Sequence, residues 1–215
     1  MSWFASNWQV VLDLARSHLV LAGLPLVIGL VVALPLGWAA KHWTRSYPAI
    51  ITTTGLLYTI PSLALFVVMP IILGTKILDP VNVIVAMTIY TVALLARTVA
   101  DGLRAVPDHI EQAATAMGYR GFRRLFGVEL PLAVPVIAAG LRVAAVSNVS
   151  IVSVASLIGV SQLGDLLVDG YNRVIWGELF TGILACVILA LALDGLIVLG
   201  NRALTPWMRV AGGRS

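Results

Sequence analysis

Residues 111–131 read EQAATAMGYRGFRRLFGVELP. Three of the chain's 14 Lys and Arg residues and two of its 10 Asp and Glu residues fall in this stretch. The rest is oily. Of 215 residues, 60% are hydrophobic and 11% charged, with a mean hydropathy of +0.98. A soluble domain carries about 25% charged residues. The composition excludes an ordinary soluble domain and points to one all-α domain embedded in a membrane. Residues 111–131 are then a polar insert between hydrophobic segments, and the fold turns on how they are read.

Spans need roughly 20 apolar residues, and five segments supply them: 19–40, 49–73, 81–100, 134–158 and 179–199. A hairpin within 147–168 would add a sixth, but Gln162, Asp165 and Asp169 argue against it, so five are expected. The transmembrane domain is expected over 19–205, with a tail at 206–215. Residues 1–18 carry Trp3, Phe4, Trp8, Val11, Leu12 and Ala15 at helical spacing. They read as a separate interfacial segment, either a helix lying on the membrane surface or a frayed terminus. No cleavable signal is expected: Asp13 and Arg16 replace a basic start, and the first apolar run is too long. The single cysteine, Cys186, rules out a disulfide framework.

Placing the polar insert in the cytoplasm orients the chain. Five spans then leave the N-terminus outside and the C-terminus inside. Eleven basic residues fall inside (Lys41, Arg45, Arg97, Arg104, Arg120, Arg123, Arg124, Arg142, Arg202, Arg209 and Arg214) and three outside (Arg16, Lys76 and Arg173). That asymmetry follows the positive-inside rule, so the +4 net charge reports orientation rather than nucleic-acid binding. All six tryptophans (Trp3, Trp8, Trp38, Trp43, Trp176 and Trp207) stand near span ends, where an amphipathic indole belongs. Pro25, Pro35, Pro61, Pro70 and Pro135 punctuate the spans as kinks. Gly29, Ala33 and Gly37 form a small-residue stripe for close helix packing.

The insert parses as helix, glycine, helix over 107–131. Asp108 reads as an N-cap with Glu111 three residues on, approximating a capping box. Ile110, Ala113, Ala114 and Met117 share one face. Gly118 ends the helix. Phe122, Leu125, Phe126 and Leu130 form a second stripe, with Arg120, Arg123 and Arg124 opposite. Pro131 closes the unit. On periodicity alone, two helices lying on anionic lipid and a docking knob for a soluble partner both fit.

Gln112-Ala113-Ala114, three residues, Gly118, nine residues, then Val128-Glu129-Leu130-Pro131 resembles the EAA loop of ABC-importer permeases, E-A-A-x3-G-x9-I-x-L-P. The resemblance covers nearly the whole chain, including the loop's position before the fourth span and Ala139-Gly140-Leu141-Arg142 just beyond. It implies a MetI-like, type-1 permease fold for binding-protein-dependent transport. Ile60-Pro61-Ser62-Leu63-Ala64-Leu65 and the small size resemble the osmoprotectant permeases, which move glycine betaine, choline, carnitine or proline betaine. The resemblance further implies a multi-pass subunit of a prokaryotic cytoplasmic membrane, paired with a second copy or paralogue, separate ATP-binding subunits and an extracytoplasmic solute-binding protein. Glu111, Gln112, Ala113, Ala114, Met117, Gly118, Val128, Leu130 and Pro131 would form the ATPase-coupling loop. Two departures stand out. Gln112 occupies the family's Glu position, and Glu111 lies roughly 100° away around the helix. IGVSQLG at 158–164 replaces a glycine-richer segment.

The chain has no G-x-x-x-x-G-K-[ST] phosphate loop, so ATP and Mg would sit on a partner subunit and no cofactor on this chain. No metal-ligand spacing is present either. An intramembrane enzyme would need a nucleophile and a base at matched depth. His18, His42 and His109 read as interfacial or cytoplasmic, far from an outer-side Ser161. Two alternatives stay open beside the osmoprotectant permease: a permease for another small solute such as an amino acid, and a structural or assembly membrane protein. Within the spans, Ser147, Asn148, Ser150, Ser153 and Ser156 are polar residues of the fourth; Asn148 reads as a candidate pathway residue and the serines, Ser147 included, as bundle packing. Arg142 and Asp194 are candidates for an ion pair in the bundle, with snorkelling of Arg142 to the headgroups as the alternative. If they pair, Arg142→Ala and Asp194→Ala will be non-additive in detergent thermal unfolding. Additive losses would exclude the pair.

Overall fold

The computed structural model describes residues 2–43 and 45–207. Arg209, Arg214 and residues 208–215 of the expected tail lie outside that range. Nine α-helices follow in order among the described residues: α1 Ser2–His42, α2 Ser46–Thr59, α3 Ser62–Leu73, α4 Pro80–Arg104, α5 Asp108–Ala116, α6 Gly121–Arg124, α7 Leu130–Val152, α8 Gly164–Asn172 and α9 Trp176–Leu204. A π-turn (Leu125–Glu129) joins α6 to α7, and a 3-10 turn (Ser153–Ile158) follows α7. Four helical stretches are long and apolar enough to span, or five if α2 and α3 count as one broken span.

Residues 2–18 are not the separate segment expected. They continue into the first span as one 41-residue helix, kinked where Asn7 leaves helical geometry. At about 1.5 Å per residue, that helix is roughly twice as long as the ~30 Å hydrocarbon core. Val11 is buried, packing with Leu163 and Leu166 against α8 and α9. The contact supplies a tertiary reason for the helix to extend.

The second span is broken. Between α2 and α3 the axis turns by 101°. Pro61 explains the place: a residue before proline is pushed out of the α region, and Ile60 is extended at φ −65°, ψ 130°. The Ile60 carbonyl, freed by the break, accepts from the Tyr90 hydroxyl on α4. Pro25 and Pro35 leave no comparable break in α1.

The centre of the bundle is α4, which starts with Pro80 after Asp79, whose side chain accepts from the Val81 N–H at 3.0 Å. Val83, Met87, Leu95, Val99 and Leu103 of α4 are all but fully buried. Their neighbours come from α1, α3 and α7 (Leu21, Leu26, Phe66, Ile137 and Val149 among them). The small-residue stripe of α1 makes this possible. A Cβ on Gly29 would stand 2.5 Å from Thr91, and one on Gly37 2.5 Å from Val99 and 2.9 Å from the Ala100 nitrogen. Backbones that close gain dispersion contacts that larger residues would forbid.

No sixth span forms among the described residues. Gly159, at φ +84°, turns the chain after the 3-10 segment, and α8 has nine residues, about 13 Å of helix. The α1–α4 contact gives a test. Gly37→Ala should destabilise the detergent-solubilised chain by about 1–3 kcal/mol through overpacking. Gly55→Ala, where nothing lies within 4 Å, should be neutral or stabilise by up to about 1 kcal/mol. Equal thermal shifts for the two variants would refute the close-packed seam.

Candidate functional site

One end of the bundle collects the ends of α1 and α4, the start of α2, and the 107–131 hairpin. Arg104 of α4 reaches the Ala40 carbonyl (3.4 Å) and lies 3.6 Å over the Tyr47 ring of α2. Tyr47 donates to Asp101 at 3.2 Å. Trp38 stacks on His42 (5.1 Å) and on Phe122 of α6 (5.5 Å), so aromatic rings join α1 to the hairpin.

Inside the hairpin, α5 closes with a Schellman motif. Tyr119 N–H bonds the Ala114 carbonyl and Gly118 N–H the Thr115 carbonyl, both at 3.0 Å. Gly118 sits at φ +88°, which only glycine adopts cheaply. The start of α5 differs from the capping box expected. Its N-cap is Pro107, no side chain caps it, and Asp108 is the first helical residue, where a negative charge still suits the helix dipole. The Glu111 carboxylate goes elsewhere, to Lys41 at the end of α1.

The Lys41 ammonium also donates to Glu129 at 2.8 Å. Arg124 grips the same Glu129 from the other side, Nε to Oε1 at 2.6 Å, and its Nη1 reaches Thr115 at 3.1 Å. Two cations and two carboxylates thus clamp α1, α5, α6 and the π-turn. Glu129 is 3% exposed. Burial alone would raise its carboxyl, but the hydrogen bonds and charges of Lys41 and Arg124 outweigh that and hold it below the usual carboxylate range. Both partners are required, because a buried carboxylate left unpaired costs several kcal/mol.

The hairpin's second arm is not a free short helix ended by Pro131. It runs on as a single helical rod from residue 121 to 158. Pro131 lies in the first turn of α7 but inside that rod, so its ring and missing N–H have to be accommodated by the turn before it. The preceding π-turn, with Leu130 N–H bonded five residues back to Leu125, makes room for its ring. Any displacement of the hairpin is therefore a displacement of the fourth span.

The expected loop residues divide by exposure. Ala114 is buried and Glu111, Val128, Leu130 and Pro131 are half-buried. Gln112 and Ala113 are exposed, as are Met117 (71%), Phe122 (66%) and Phe126 (62%). Gln112 borders a polar groove of about 350 Å3 with Asp108, Glu111, Thr115 and Arg124.

Among the intramembrane candidates, Arg142 and Asp194 meet as a bidentate pair, Nε to Oδ1 at 2.6 Å and Nη2 to Oδ2 at 2.9 Å. Asn148 lines no path within this chain. It is 2% exposed and donates to the Ala22 carbonyl (3.2 Å) and Thr91 Oγ1 (3.0 Å), cross-linking α7 to α1 and α4. A buried amide is satisfied by whichever polar groups face it, and here these belong to the core. Ser147 is half-buried. His18 is enclosed by the bundle rather than set on its surface. It is fully buried, with Nδ1 2.9 Å from Gln162 Oε1 and Nε2 3.0 Å from the Val149 carbonyl. Both ring nitrogens are engaged with these groups, an arrangement that serves packing of the 158–164 turn.

Sequence reasoning missed Lys41, Arg124 and Glu129 as a set. One signal was available: Glu129 is the only charge between Arg124 and Arg142, and a lone carboxylate in an apolar run needs a partner.

This fold and site define a polytopic α-helical membrane protein carrying a rigid extramembrane hairpin fused to one of its spans. Residues 25–210 match the family described as binding-protein-dependent transport system inner membrane component, and the chain belongs to that family. It is 32% identical over 208 residues to the osmoprotectant import permease protein OsmW of Salmonella typhimurium (95% of this chain, 96% of the relative). It is 29% identical over 206 residues to the glycine betaine/carnitine/choline transport system permease protein OpuCB of Bacillus subtilis (96% and 94%). The fold resembles a chain of the inward-facing MetNI methionine ABC transporter, with a TM-score of 0.82 at 20% identity, covering 93% of this chain and 98% of that one.

The clamp has a signed pH dependence. Because the Glu129 carboxyl is held low in the folded chain, its stabilisation is present above the ordinary glutamate range and lost as pH falls through its folded pKa. Lys41→Met should cost about 3 kcal/mol, and Glu129→Gln should flatten the acid limb of stability against pH. An acid limb unchanged by Glu129→Gln would remove Glu129 as its source.

Proposed function

We propose that this chain is the permease subunit of an ATP-binding-cassette importer for osmoprotectants of the glycine betaine, choline or carnitine class. It forms the membrane path with a second permease copy or paralogue, receives solute from an extracytoplasmic binding protein, and is driven by separate ATPase subunits that hold ATP and Mg. The hairpin lies in the cytoplasm, with the N-terminus outside and the C-terminus inside. The solute class rests on the relatives, the orientation on the distribution of basic residues, ten inside against three outside once Arg142, which lies within α7, is set aside.

The observation that carries the coupling role is the outward apolar face of a clamped hairpin. Ala113 and Met117 of α5 are exposed, although nothing in the fold of this chain requires apolar residues there. The four-charge clamp and the continuous 121–158 rod make the hairpin stiff. A stiff knob seated in an ATPase cleft transmits that subunit's movement to the spans as a rigid body. Gln112, in the position of the family's Glu, is exposed beside this face and offers a neutral hydrogen-bonding group to the partner.

The structure separates folding variants from docking variants. Ala114→Asp puts a carboxylate in a buried position and should disturb the hairpin itself. Ala113→Asp and Met117→Asp change only its exposed face. Both should leave the solubilised chain's thermal stability near wild type, while co-purification of the ATPase subunit and solute-stimulated ATP hydrolysis fall. Full association with normal stimulated hydrolysis in both variants would exclude the docking role. Uptake of labelled glycine betaine, choline, carnitine and amino acids by the assembled transporter tests the solute class.

A further inference from the structure

His18 poses a problem of hydrogen counting. It is fully buried on α1, at the end of the bundle opposite the hairpin, with Nδ1 2.9 Å from Gln162 Oε1 and Nε2 3.0 Å from the Val149 carbonyl. Separations this short leave no room for water, and each contact needs one hydrogen. The Val149 carbonyl can only accept. The Gln162 amide would have to turn over to donate, and two neighbours fix its orientation. Its Nε2 donates to the Ser153 carbonyl at 3.2 Å, and its Oε1 accepts from the Gly164 N–H at 2.5 Å. Turned over, the amide would set N–H against N–H at Gly164 and oxygen against oxygen at Ser153. Gln162 is itself fully buried, so no solvent relieves either clash. The amide oxygen therefore faces Nδ1, and both ring nitrogens must donate. A neutral imidazole carries one N–H, and only imidazolium carries two.

We infer that His18 is a proton-binding site: in the folded chain it is an imidazolium, and its second proton ties α1 to the 158–164 turn. Burial opposes a cation. Two charge-assisted hydrogen bonds offset that cost, and Val149 lies in the last turn of α7, the end of a helix that carries negative partial charge. Among the described residues no ionisable side chain bonds to His18. On α1, Asp13 and Arg16 pair with each other. The Asp79 carboxylate at the start of α4 accepts from the Val81 N–H, and Arg142 of α7 is held by Asp194 of α9. Asp165 of α8 accepts from Ser161 beside Asp169, while α9 brings Glu178 and Cys186, the thiol 3.8 Å from Ser153 Oγ. Neutral acceptors therefore hold the proton. When it leaves, a nitrogen lone pair points at an oxygen about 3 Å away, and one of the two contacts must open. The turn so released carries Gln162, within the stretch where IGVSQLG stands in place of a glycine-richer segment.

The test is nitrogen-15 NMR of the full chain, labelled at histidine and held in detergent micelles. Ring nitrogen shifts separate N–H from bare nitrogen. The chain has three histidines, and combining His42→Gln with His109→Gln, both at exposed positions, leaves the His18 signals alone. The expected result at about pH 7 is a proton on both His18 nitrogens, exchanging slowly with solvent. One bare nitrogen at that pH, in either tautomer, would overturn the inference. Thermal unfolding gives a second readout. The protonated ring makes both bonds, so the wild type's advantage over His18→Gln should shrink steadily as pH rises from about 6 to about 9. An advantage that stays flat or grows over that range overturns the inference as well. The NMR measurement stands by itself if His18→Gln fails to fold.

Discussion

A carboxylate buried to 3% at Glu129 is the constraint on which the hairpin end of the molecule depends. It cannot be left without cations, and the two that serve it come from different places, Lys41 at the end of the first helix and Arg124 one turn before it. Lys41 in turn holds Glu111 on the hairpin's first arm. Each ion pair alone would be an ordinary contact. Together they force the first span, α5 and the fourth span into one geometry, because moving any of them strands a buried charge. Aromatic stacking of Trp38 on Phe122 adds an apolar contact beside the charged one. A hairpin fixed in this way can act as a lever.

The spans solve a different problem. In lipid every backbone group must be satisfied within the protein, and apolar side chains gain little from clustering because the solvent is equally apolar. Close packing therefore does the holding. Gly29 and Gly37 let α1 lie against α4, and Asn148 and Thr91 bond across the helices. Where the chain does break, at Ile60–Pro61, a Tyr90 hydroxyl meets the freed carbonyl. The spanning stretch of α9, by contrast, is only 11% buried. Its exposed leucines and isoleucines suit contact with lipid or with neighbouring subunits.

Much of this was legible in the residues. Apolar run lengths located the spans, and the glycine at 118 located the hairpin turn, because each reflects a local requirement: hydrocarbon thickness in one case, positive φ in the other. Arg142 and Asp194 could be paired from sequence since two opposite charges in apolar runs have few other partners. The break in the second span was less legible. Pro61 was visible as a kink, but Pro25 and Pro35 carry the same local signal and leave α1 without a comparable break. The misreadings share one cause. Near neighbours in sequence suggest a cap at Glu111, a stop at Pro131 and, for Asn148, a path as readily as a bundle contact. Each is governed by a group far along the chain or by a backbone adjustment: Lys41, the π-turn, and Ala22 with Thr91.

The sequence by itself determined an integral membrane helical bundle, its approximate spans, the polar hairpin between the third and fourth, and the resemblance that pointed to its family. These follow from hydropathy, periodicity and motif spacing, which are properties of contiguous residues. Tertiary structure alone decided that the N-terminal segment and first span are one helix, that the second span bends by 101°, and that the hairpin is clamped by four charges and continuous with the fourth span. The physical reason is that a charge or a freed carbonyl in a low-dielectric interior is satisfied by whatever the fold brings within about 3 Å, and sequence distance places no limit on what that is.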